Sequence, residues 1–374
     1  MSRKGNNIYK RKDGRWEGRY KKGIAGDGKA VYGSCYGKTY REVKDKLEIC
    51  KLQVMQNEKR GARSVFKPFA FYCDEWLDVN KNTVKESTVV KYKAALENHI
   101  KPFFGEYTPQ IITTELTADF VDYLISSKKL SAKTAKDTAV ILKSILKYVS
   151  KNNSGIEMVD VVMPKYKAKE IRVLTQEEQR KFFDFLISDM DIYKFGVLFA
   201  LMTGLRIGEV CALRVSDISL TDKLVTVRET MQRIKNLSGE GAKTKIVFSS
   251  PKSGTSARIV PLTNTAYELC KEKVSNVSPN AFLLTGCESK YVEPRVLQFQ
   301  IKKYSEQCGI EDLHFHVLRH TFATRCVESK CDFKTLSSIL GHADIATTLN
   351  LYVHPGLEQK RRCVEDMMNS FTNY

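Results

Sequence analysis

The chain has 374 residues, which at roughly 150 residues per domain predicts two or three domains. With 42% hydrophobic and 28% charged residues, and no apolar run near the ~18 to 20 residues of a membrane span, the composition argues against a membrane protein and a disordered chain. The net charge of +18 favours a polyanionic partner such as nucleic acid.

Two features bear on the cellular compartment. The first residues, Met1 to Asn7, lead into charged sequence without the apolar stretch of a secretion signal. The ten cysteines are scattered from Cys35 to Cys363 without a CxxC pair, which indicates reduced packing residues rather than a disulfide framework. We therefore expect a cytoplasmic protein.

The N-terminal segment holds most of the excess charge. Residues 1 to 65 carry 18 basic and 7 acidic residues. A like-charged block alone also fits a solvated tail. Here, however, the Asp13-Gly14 turn predicts a hairpin over Ile8 to Tyr20, a further strand is expected near Ala30 to Tyr36, and a helix follows from Tyr40. The pattern predicts a three-stranded sheet backed by a helix.

Alternation along the second strand divides its side chains between two faces. Trp16, Gly18 and Tyr20 are expected on an aromatic face, and Arg15 and Arg19 on a basic one. A basic sheet face fits a module that binds a DNA groove, where Arg and Lys contact phosphates and base edges. The candidate DNA-binding residues of this module are Arg15, Arg19 and Lys21.

A glycine-rich segment in the same region resembles a phosphate-binding loop only in its spacing. Gly23 to Lys29 has the spacing of such a loop, but Ala30 opens a strand where a helix and a Ser or Thr would be needed. We therefore do not expect a nucleotide site here.

The second region is predicted to be helical. After a linker over Arg60 to Ser64, helices are expected at Phe69 to Val79, Ser87 to Ile100, Leu116 to Ser126 and Ser131 to Val149, with a break at Lys101-Pro102. Lys133 and Lys136 lie off the apolar stripe of the last helix, which fits a solvated face and a DNA contact equally well. Lys165 and Lys167 belong to the basic connection that follows.

The third region mixes helices and strands. A capping box, Thr175 to Glu178, starts a helix, and an apolar helix follows. Val215 to Met231 and Lys243 to Pro261 are predicted strands, with a hairpin tip at Ser249 to Gly254. Further helices are expected at Asn264 to Val274, Pro294 to Cys308, His316 to Ser329, Phe333 to Leu340, and from Gly356 to the C-terminal region.

Residues suited to chemistry gather late in the chain, where five of the six histidines lie. Zinc is one alternative, because His316 and His320 are four residues apart, but there is no HExxH motif and no metal-spaced cysteine set. His316 and Arg319 would instead share a helix face and present an imidazole beside a guanidinium, which suits a phosphate.

Two other segments carry candidate site residues. Arg206 follows a glycine that is expected to end an apolar helix, and Glu209 lies close enough in the next turn to support it. Downstream, His342 precedes Tyr352 by ten residues. Alone, this arginine would most often be a surface or capping residue and this tyrosine a half-buried core residue.

Together these segments resemble the tyrosine recombinase, or phage-type integrase, family. The motifs TGLRIGE, SSPKSGTSARIVPL, HVLRHTFAT, LGHADIATT and LNLYVH occur in the family's order over about residues 170 to 356. The resemblance implies that six residues surround the scissile phosphate, with Tyr352 as nucleophile, namely Arg206, Lys252, His316, Arg319, His342 and Tyr352. Lys243 and Lys245 lie in the same hairpin region as Lys252.

The resemblance also implies a multidomain fold that is mainly α with small β elements. Its expected parts are an arm-type DNA-binding domain at 1–62 (a three-stranded sheet plus helix, like that of conjugative transposon integrases), a helical SAM-like core-binding bundle at 66–155, and a mixed α/β catalytic domain with a C-terminal tail at 170–374.

By the same resemblance, the reaction integrates and excises a mobile element through a 3′-phosphotyrosyl intermediate and a Holliday junction, with no metal or other cofactor. The implied partner is double-stranded DNA at core and arm sites. A tetramer on DNA would form through exchange of C-terminal tails, and an excision factor and a host DNA-bending protein are candidate partners. The implied cellular location is the bacterial cytoplasm, at the nucleoid.

Two alternatives stay open. A type IB topoisomerase shares the tyrosine, arginine, lysine and histidine chemistry, although it does not explain an arm-type module. A non-catalytic DNA-binding regulator explains the charge, although it needs no catalytic residues in this order.

Overall fold

The computed structural model describes residues 7–24, 30–59, 66–166, 171–249 and 257–342, and then positions 344–346, 348, 361, 364–365, 367–369 and 371. The chain forms two compact units, Met1–Lys167 and Ala168–Tyr374. Helices dominate the described residues and the sheets are small, which confirms the mainly α class. The boundaries 1–62, 66–155 and 170–374 stay predictions.

The first unit begins with an antiparallel sheet in the order β1 (Ile8–Lys10), β2 (Trp16–Ile24) and β3 (Ala30–Gly37), followed by α1 (Tyr40–Lys59). The helix lies close to the sheet because β2 has a glycine at the contact. A Cβ atom on Gly18 would be 2.8 Å from Cγ1 of Val43, which is fully buried. The predicted sheet-plus-helix arrangement is confirmed.

The predicted separation of aromatic from basic residues is only partly correct. Trp16 packs edge-on to Tyr40 of α1, at 5.3 Å between ring centroids, as expected for the inner face. Tyr9 and Tyr36, however, pair directly with Glu17 in the register of the sheet. Directly paired residues share a face, so tyrosines also lie on the outer face, among the arginines.

The rest of the first unit is a helical bundle with its own core. Its helices are α2 (Phe69–Asn80), α3 (Glu86–Ala95), α4 (Lys101–Phe104), α5 (Thr114–Asp122) and α6 (Ala132–Asn152). The largest fully buried side chains are phenylalanines of α2, α4 and α5, and the stripe of α6 that contains Leu142, Ile145 and Val149 closes the core. The predicted helices are confirmed to within a few residues.

The predicted break at Lys101-Pro102 is wrong. A π-helical turn, Leu96–Ile100, joins α3 to α4, and the Lys101 amide donates to the carbonyl of Leu96 instead of closing an α-turn. A proline has no N–H and its ring crowds the preceding turn. The wider turn accommodates Pro102 without ending the helix.

In the part of the chain that the structure describes, the second unit has seven named helices, with α8 in its core. They are α7 (Gln176–Ile187), α8 (Ile192–Thr203), α9 (Ile207–Ala212), α10 (Asn264–Val274), α11 (Pro294–Cys308), α12 (Phe315–Glu328) and α13 (Phe333–Leu340). Nine of the twelve residues of α8 are buried, as expected for a helix that is apolar on all sides. The Thr175–Glu178 capping box at the start of α7 is confirmed.

The strands of the second unit differ from the prediction. A three-stranded sheet has the order β4 (Ile218–Ser219), β5 (Leu224–Val227) and β8 (Arg258–Pro261), and a separate hairpin pairs β6 (Thr230–Lys235) with β7 (Thr244–Ser249).

The two long predicted strands are therefore wrong. Val215–Asp217 forms a 3-10 turn in which the Asp217 carboxylate accepts from the Arg214 amide at 2.9 Å, and that local hydrogen bond competes with strand pairing. The strands on either side of the expected hairpin tip, β7 and β8, belong to different sheets, and residues 250–254 of that tip lie outside the described residues. In the part of the chain that the structure describes, no helix is both long and apolar enough to cross a membrane.

Candidate active site

Arg206 occupies the sharp turn between α8 and α9. Gly204 ends α8 with φ +67°, and a Cβ atom there would lie 2.5 Å from Cδ1 of Phe322. Only glycine meets both demands, because it accepts a left-handed conformation and leaves room for the ring. The predicted helix break is confirmed, and it places Arg206 at the first position before α9, with 36% of its side chain exposed.

Glu209 supports Arg206 as the spacing predicted. One carboxylate oxygen of Glu209 accepts from the backbone amide of Arg206 at 2.8 Å, and the other accepts from its guanidinium Nη1 at 2.9 Å. Glu209 is only 3% exposed. Burial alone would raise the pKa of this carboxyl, but the hydrogen bonds and charge of Arg258, with the charge of Arg206, lower the pKa below its usual value.

Arg258 of β8 is a site residue that the sequence analysis missed. Its Nη1 and Nη2 donate to Oε1 and Oε2 of Glu209 at 3.1 Å and 2.9 Å, and its Nε donates to the carbonyl of Ile339 at 2.6 Å. Arg258 is 7% exposed. Alternation along β8 was an available signal, since it places Arg258 on the same buried face as Val260.

Arg319 of α12 is buried and bound on several sides. Its Nη1 donates to the carbonyl of Gly204 at 2.8 Å, and its Nη2 donates to the carbonyl of Leu340 at 2.7 Å. The same Nη2 lies 2.9 Å from Nε2 of His342. Arg319 therefore joins the turn that carries Arg206 to the segment that carries His342.

The C-terminal end of α13 is the point on which the cations converge. The carbonyl of Ile339 accepts from Arg258, and that of Leu340 accepts from Arg319 and, at 3.5 Å, from Nη1 of Arg206. These free carbonyls carry the partial negative charge of the helix end, which favours cations. The structure thus brings four predicted site residues together: Arg206, Glu209, Arg319 and His342.

His342 lies between Arg319 and Thr348. Its Nδ1 is 2.8 Å from Oγ1 of Thr348, a fully buried residue that the sequence analysis also missed. Because a guanidinium can only donate, Nε2 accepts from Arg319, and we assign the ring proton to Nδ1, which donates to Thr348. Burial, followed by the charges of Arg319 and Arg206, lowers the pKa of His342 to about 4.

His316 lies one helical turn before Arg319 on α12, the spacing that predicted a shared helix face. His316 is exposed, whereas Arg319 is buried. Partial desolvation and the charge of Arg319 lower its pKa, so the ring is neutral near pH 7 and can accept a proton. His320 stands 6.3 Å from His316 between ring centroids, and desolvation lowers its pKa to about 4. Among the described residues, no three His, Cys, Asp or Glu side chains are placed to hold a metal ion.

Two predicted catalytic residues, Lys252 and Tyr352, lie outside the described residues. Two of the predicted DNA-binding residues are paired with carboxylates: Arg15 with Asp13 at 2.8 Å, and Arg19 with Glu17 at 3.2 Å. The remaining described candidates are exposed lysines, namely Lys21, Lys133, Lys136 and Lys165. Lys167 is outside the described residues.

Two family models match the chain. Residues 172–358 match the model described as phage integrase family, and residues 68–125 match the model described as phage integrase, N-terminal SAM-like domain. A curated relative, the tyrosine recombinase XerC-like protein of Caldanaerobacter subterraneus subsp. tengcongensis, is 28% identical over 373 residues, covering 92% of this chain and 93% of its own.

Solved structures show the same fold at lower identity. A fragment of the Tn1549 transposon integrase, in complex with a circular intermediate DNA, has a TM-score of 0.67 at 18% identity and covers 80% of this chain and 99% of its own. A lambda integrase tetramer bound to a Holliday junction has a TM-score of 0.56 at 15% identity, with coverage of 94% and 97%.

Proposed function

The chain belongs to the phage integrase family, and on that premise we propose how its residues carry out site-specific DNA recombination. It is a tyrosine recombinase, an enzyme that cleaves and rejoins DNA strands. The observation that carries the assignment of roles is the convergence of Arg206, Arg319 and His342 on the end of α13.

The two arginines form the phosphate clamp. Cleavage of a phosphodiester passes through a pentavalent transition state that gathers negative charge on its nonbridging oxygens, and fixed cations stabilise that charge best. Arg319 is held by two backbone carbonyls, and Arg206 by Glu209, so neither must be ordered when DNA arrives. This fixed arrangement is what a strand-cleaving site requires.

Tyr352 is the nucleophile in this proposal. Its phenolic oxygen attacks phosphorus, the bond to the 5′ oxygen breaks, and a 3′-phosphotyrosyl link forms. His316 takes the phenolic proton and Lys252 donates one to the leaving oxygen. The new ester conserves the free energy of the old one, so rejoining by a 5′ hydroxyl needs no ATP.

His342 hydrogen-bonds a phosphate oxygen once DNA is bound. In the structure its Nε2 accepts from Arg319, so the ring must carry its proton on Nε2 before it can donate to phosphate. The hydroxyl of Thr348 supports either tautomer, because a hydroxyl both donates and accepts. Once the ring carries its proton on Nε2, His342 donates to the phosphate, and Arg319 keeps its hydrogen bonds to the two backbone carbonyls.

DNA contacts outside the active site come from basic residues of the first unit. Arg15, Arg19 and Lys21 would bind arm sites through the outer face of β2. Lys133 and Lys136 of α6 would bind the core site, and Lys165 and Lys167 the DNA beside it. The support for these roles is the exposure of the described side chains and the net charge of +18.

The protein binds DNA and forms oligomers in the course of recombination. For the tetramer, we propose exchange of C-terminal tails between neighbouring protomers. Four described apolar side chains of the tail are each 48% to 71% exposed and would be covered by that exchange: Val364, Met367, Met368 and Phe371. An excision factor and a host DNA-bending protein complete the proposed set of partners, and we propose the cytoplasm, at the nucleoid, as the location of the reaction.

The covalent step is tested with a duplex that carries one element end and a nick close to the scissile phosphate. The short cleaved fragment diffuses away, so the protein–DNA adduct accumulates and survives denaturant. We expect an adduct in the presence of a metal chelator, its loss in Tyr352→Phe, and its retention in the control Tyr291→Phe. Tyr291 contacts Phe248 and Phe282 through its ring alone among the contacts described, and phenylalanine keeps that ring.

Two outcomes would favour the alternatives. DNA binding without an adduct would favour a non-catalytic regulator. An adduct with relaxation of supercoils, but no exchange of strands between two defined sites, would favour a type IB topoisomerase.

A further inference from the structure

We propose that Arg258 is a positioning residue for strand cleavage, which keeps the guanidinium of Arg206 turned toward the scissile phosphate. The proposal rests on the function proposed above and adds a residue that does not itself touch the phosphate. It follows from how Arg258, Glu209 and Arg206 share their hydrogen bonds.

Each oxygen of Glu209 is shared by the two arginines. Oε1 accepts from Nη1 of Arg258 at 3.1 Å and from Nη1 of Arg206 at 2.9 Å. Oε2 accepts from Nη2 of Arg258 at 2.9 Å and from the backbone amide of Arg206 at 2.8 Å. The buried carboxylate is thereby neutralised chiefly by Arg258, which binds it with two guanidinium nitrogens, whereas Arg206 uses one.

This division leaves Arg206 able to bind a substrate. Among the described contacts, the Arg206 side chain uses only Nη1, so Nε and Nη2 can bind phosphate oxygens. The Arg206 side chain is 36% exposed and that of Arg258 is 4% exposed. Without Arg258, the carboxylate would attract a second nitrogen of Arg206 and turn the guanidinium inward, because a buried charge requires compensation.

Arg258 also fixes the segment that carries His342. Its Nε binds the carbonyl of Ile339, and a Cβ atom on Gly341 would lie 2.8 Å from its Cδ. Gly341 ends α13 with φ +64° and directly precedes His342. Arg258 therefore fixes both the orientation of the Arg206 guanidinium and the position of the segment that leads into His342. A lysine could not replace it, since a single ammonium lacks the planar fork that binds both oxygens and a third acceptor.

The test is a double-mutant cycle on single-turnover cleavage of the nicked duplex. We expect Arg258→Lys to slow adduct formation about 10- to 100-fold, the range that a small displacement of a catalytic group produces, while DNA affinity changes less than threefold. In an Arg206→Lys background, the same substitution should slow the reaction by a clearly smaller factor, because the guanidinium that it positions is already gone and only its effect through the Ile339–His342 segment remains. Slow variants are followed for a day, at a temperature well below the unfolding of each.

Arg325→Lys is the matched control. Arg325 lies on α12 and makes three hydrogen bonds of 2.7 Å, to Gln179, Glu328 and the carbonyl of Leu174, away from Glu209. Arg325→Lys should slow adduct formation by the same factor in the wild-type protein and in the Arg206→Lys variant.

Three results bear on the inference. If Arg258→Lys slows adduct formation by the same factor in the wild-type protein and in the Arg206→Lys variant, Arg258 has a merely structural role. That result would overturn the positioning role. If Arg258→Lys does not fold, Glu209→Asp, which keeps the charge, takes its place in the double-mutant cycle. Its effect on adduct formation is again compared with and without Arg206→Lys. A wild-type protein that binds DNA but forms no adduct would instead refute the proposed function.

Discussion

Replacing Glu209 by glutamine should destabilise the second unit far more than the same change at the surface. The carboxylate accepts four hydrogen bonds, three of them from guanidinium nitrogens. Glutamine keeps one acceptor oxygen and places an amide NH2 against two donors. With about 1.5 to 3 kcal/mol for each hydrogen bond to a charged group, the loss of two gives about 3 to 6 kcal/mol, in line with the ~3 to 5 kcal/mol of a broken buried ion pair.

Urea unfolding followed by circular dichroism, with thermal unfolding beside it, measures this effect. At about 2 to 4 °C per kcal/mol for a unit of this size, the transition of the second unit should fall by roughly 6 to 24 °C. Glu293→Gln is the control, because Glu293 also binds an arginine, Arg233, through two nitrogens, but their side chains are 27% and 41% exposed. A surface pair contributes about 0 to 1 kcal/mol. Equal losses of unfolding free energy from both substitutions would contradict a larger contribution from the buried ion pair of Glu209.

The difference in unfolding free energy between wild type and Glu209→Gln should depend on pH in a defined direction. The folded-state pKa of Glu209 lies below its usual value. Its ionised form therefore stabilises the fold fully above the unfolded-state pKa of about 4.3, and that stability is lost as the pH falls through the folded-state pKa. The difference in unfolding free energy between wild type and Glu209→Gln should be largest above about pH 5 and should decrease in acid. A gap that grows in acid would contradict the assigned charge state.

Other substitutions test the turn, the histidine and the outer sheet. Gly204→Ala should lower stability by about 2 to 5 kcal/mol through left-handed strain and overpacking, whereas Gly239→Ala, at φ +77° with open space around it, should cost about 1 kcal/mol; urea midpoints compare them. Thr348→Val should slow adduct formation roughly tenfold through loss of a buried hydrogen bond, with DNA affinity unchanged and Thr348→Ser near wild type in the same single-turnover assay. Arg19→Ala should weaken binding to an arm-site duplex and reduce the slope of log K against log salt by about 0.9; an unchanged slope would remove Arg19 from the interface.

Local signals in the sequence predicted much of the fold. The bounds of α11 and α13 and the capping box at Thr175 agree with the structure, because each depends on residues within one or two helical turns. The contact between Arg206 and Glu209 was predictable for the same reason, since three residues separate them at the start of a helix.

What the sequence did not predict depends on contacts between distant segments. Arg258 binds a carboxylate 49 positions away and a carbonyl 81 positions away, so neither partner can be inferred from its neighbours. The long strand expected over Val215 to Met231 was wrong at its start because the Asp217 carboxylate accepts from the Arg214 amide and forms a turn there. Thr348 was missed because its fully buried position beside His342 is a property of the packed segment.

In the proposed reaction, one tyrosine, Tyr352, links covalently to DNA during strand cleavage. The most direct test is to trap the adduct on the nicked duplex, digest it with a protease and a nuclease, and identify by mass spectrometry the peptide that retains a nucleotide. We expect a single modified peptide containing Tyr352, with the nucleotide attached through its 3′ phosphate. Attachment at another residue, or DNA cleavage with no attached nucleotide, would contradict it.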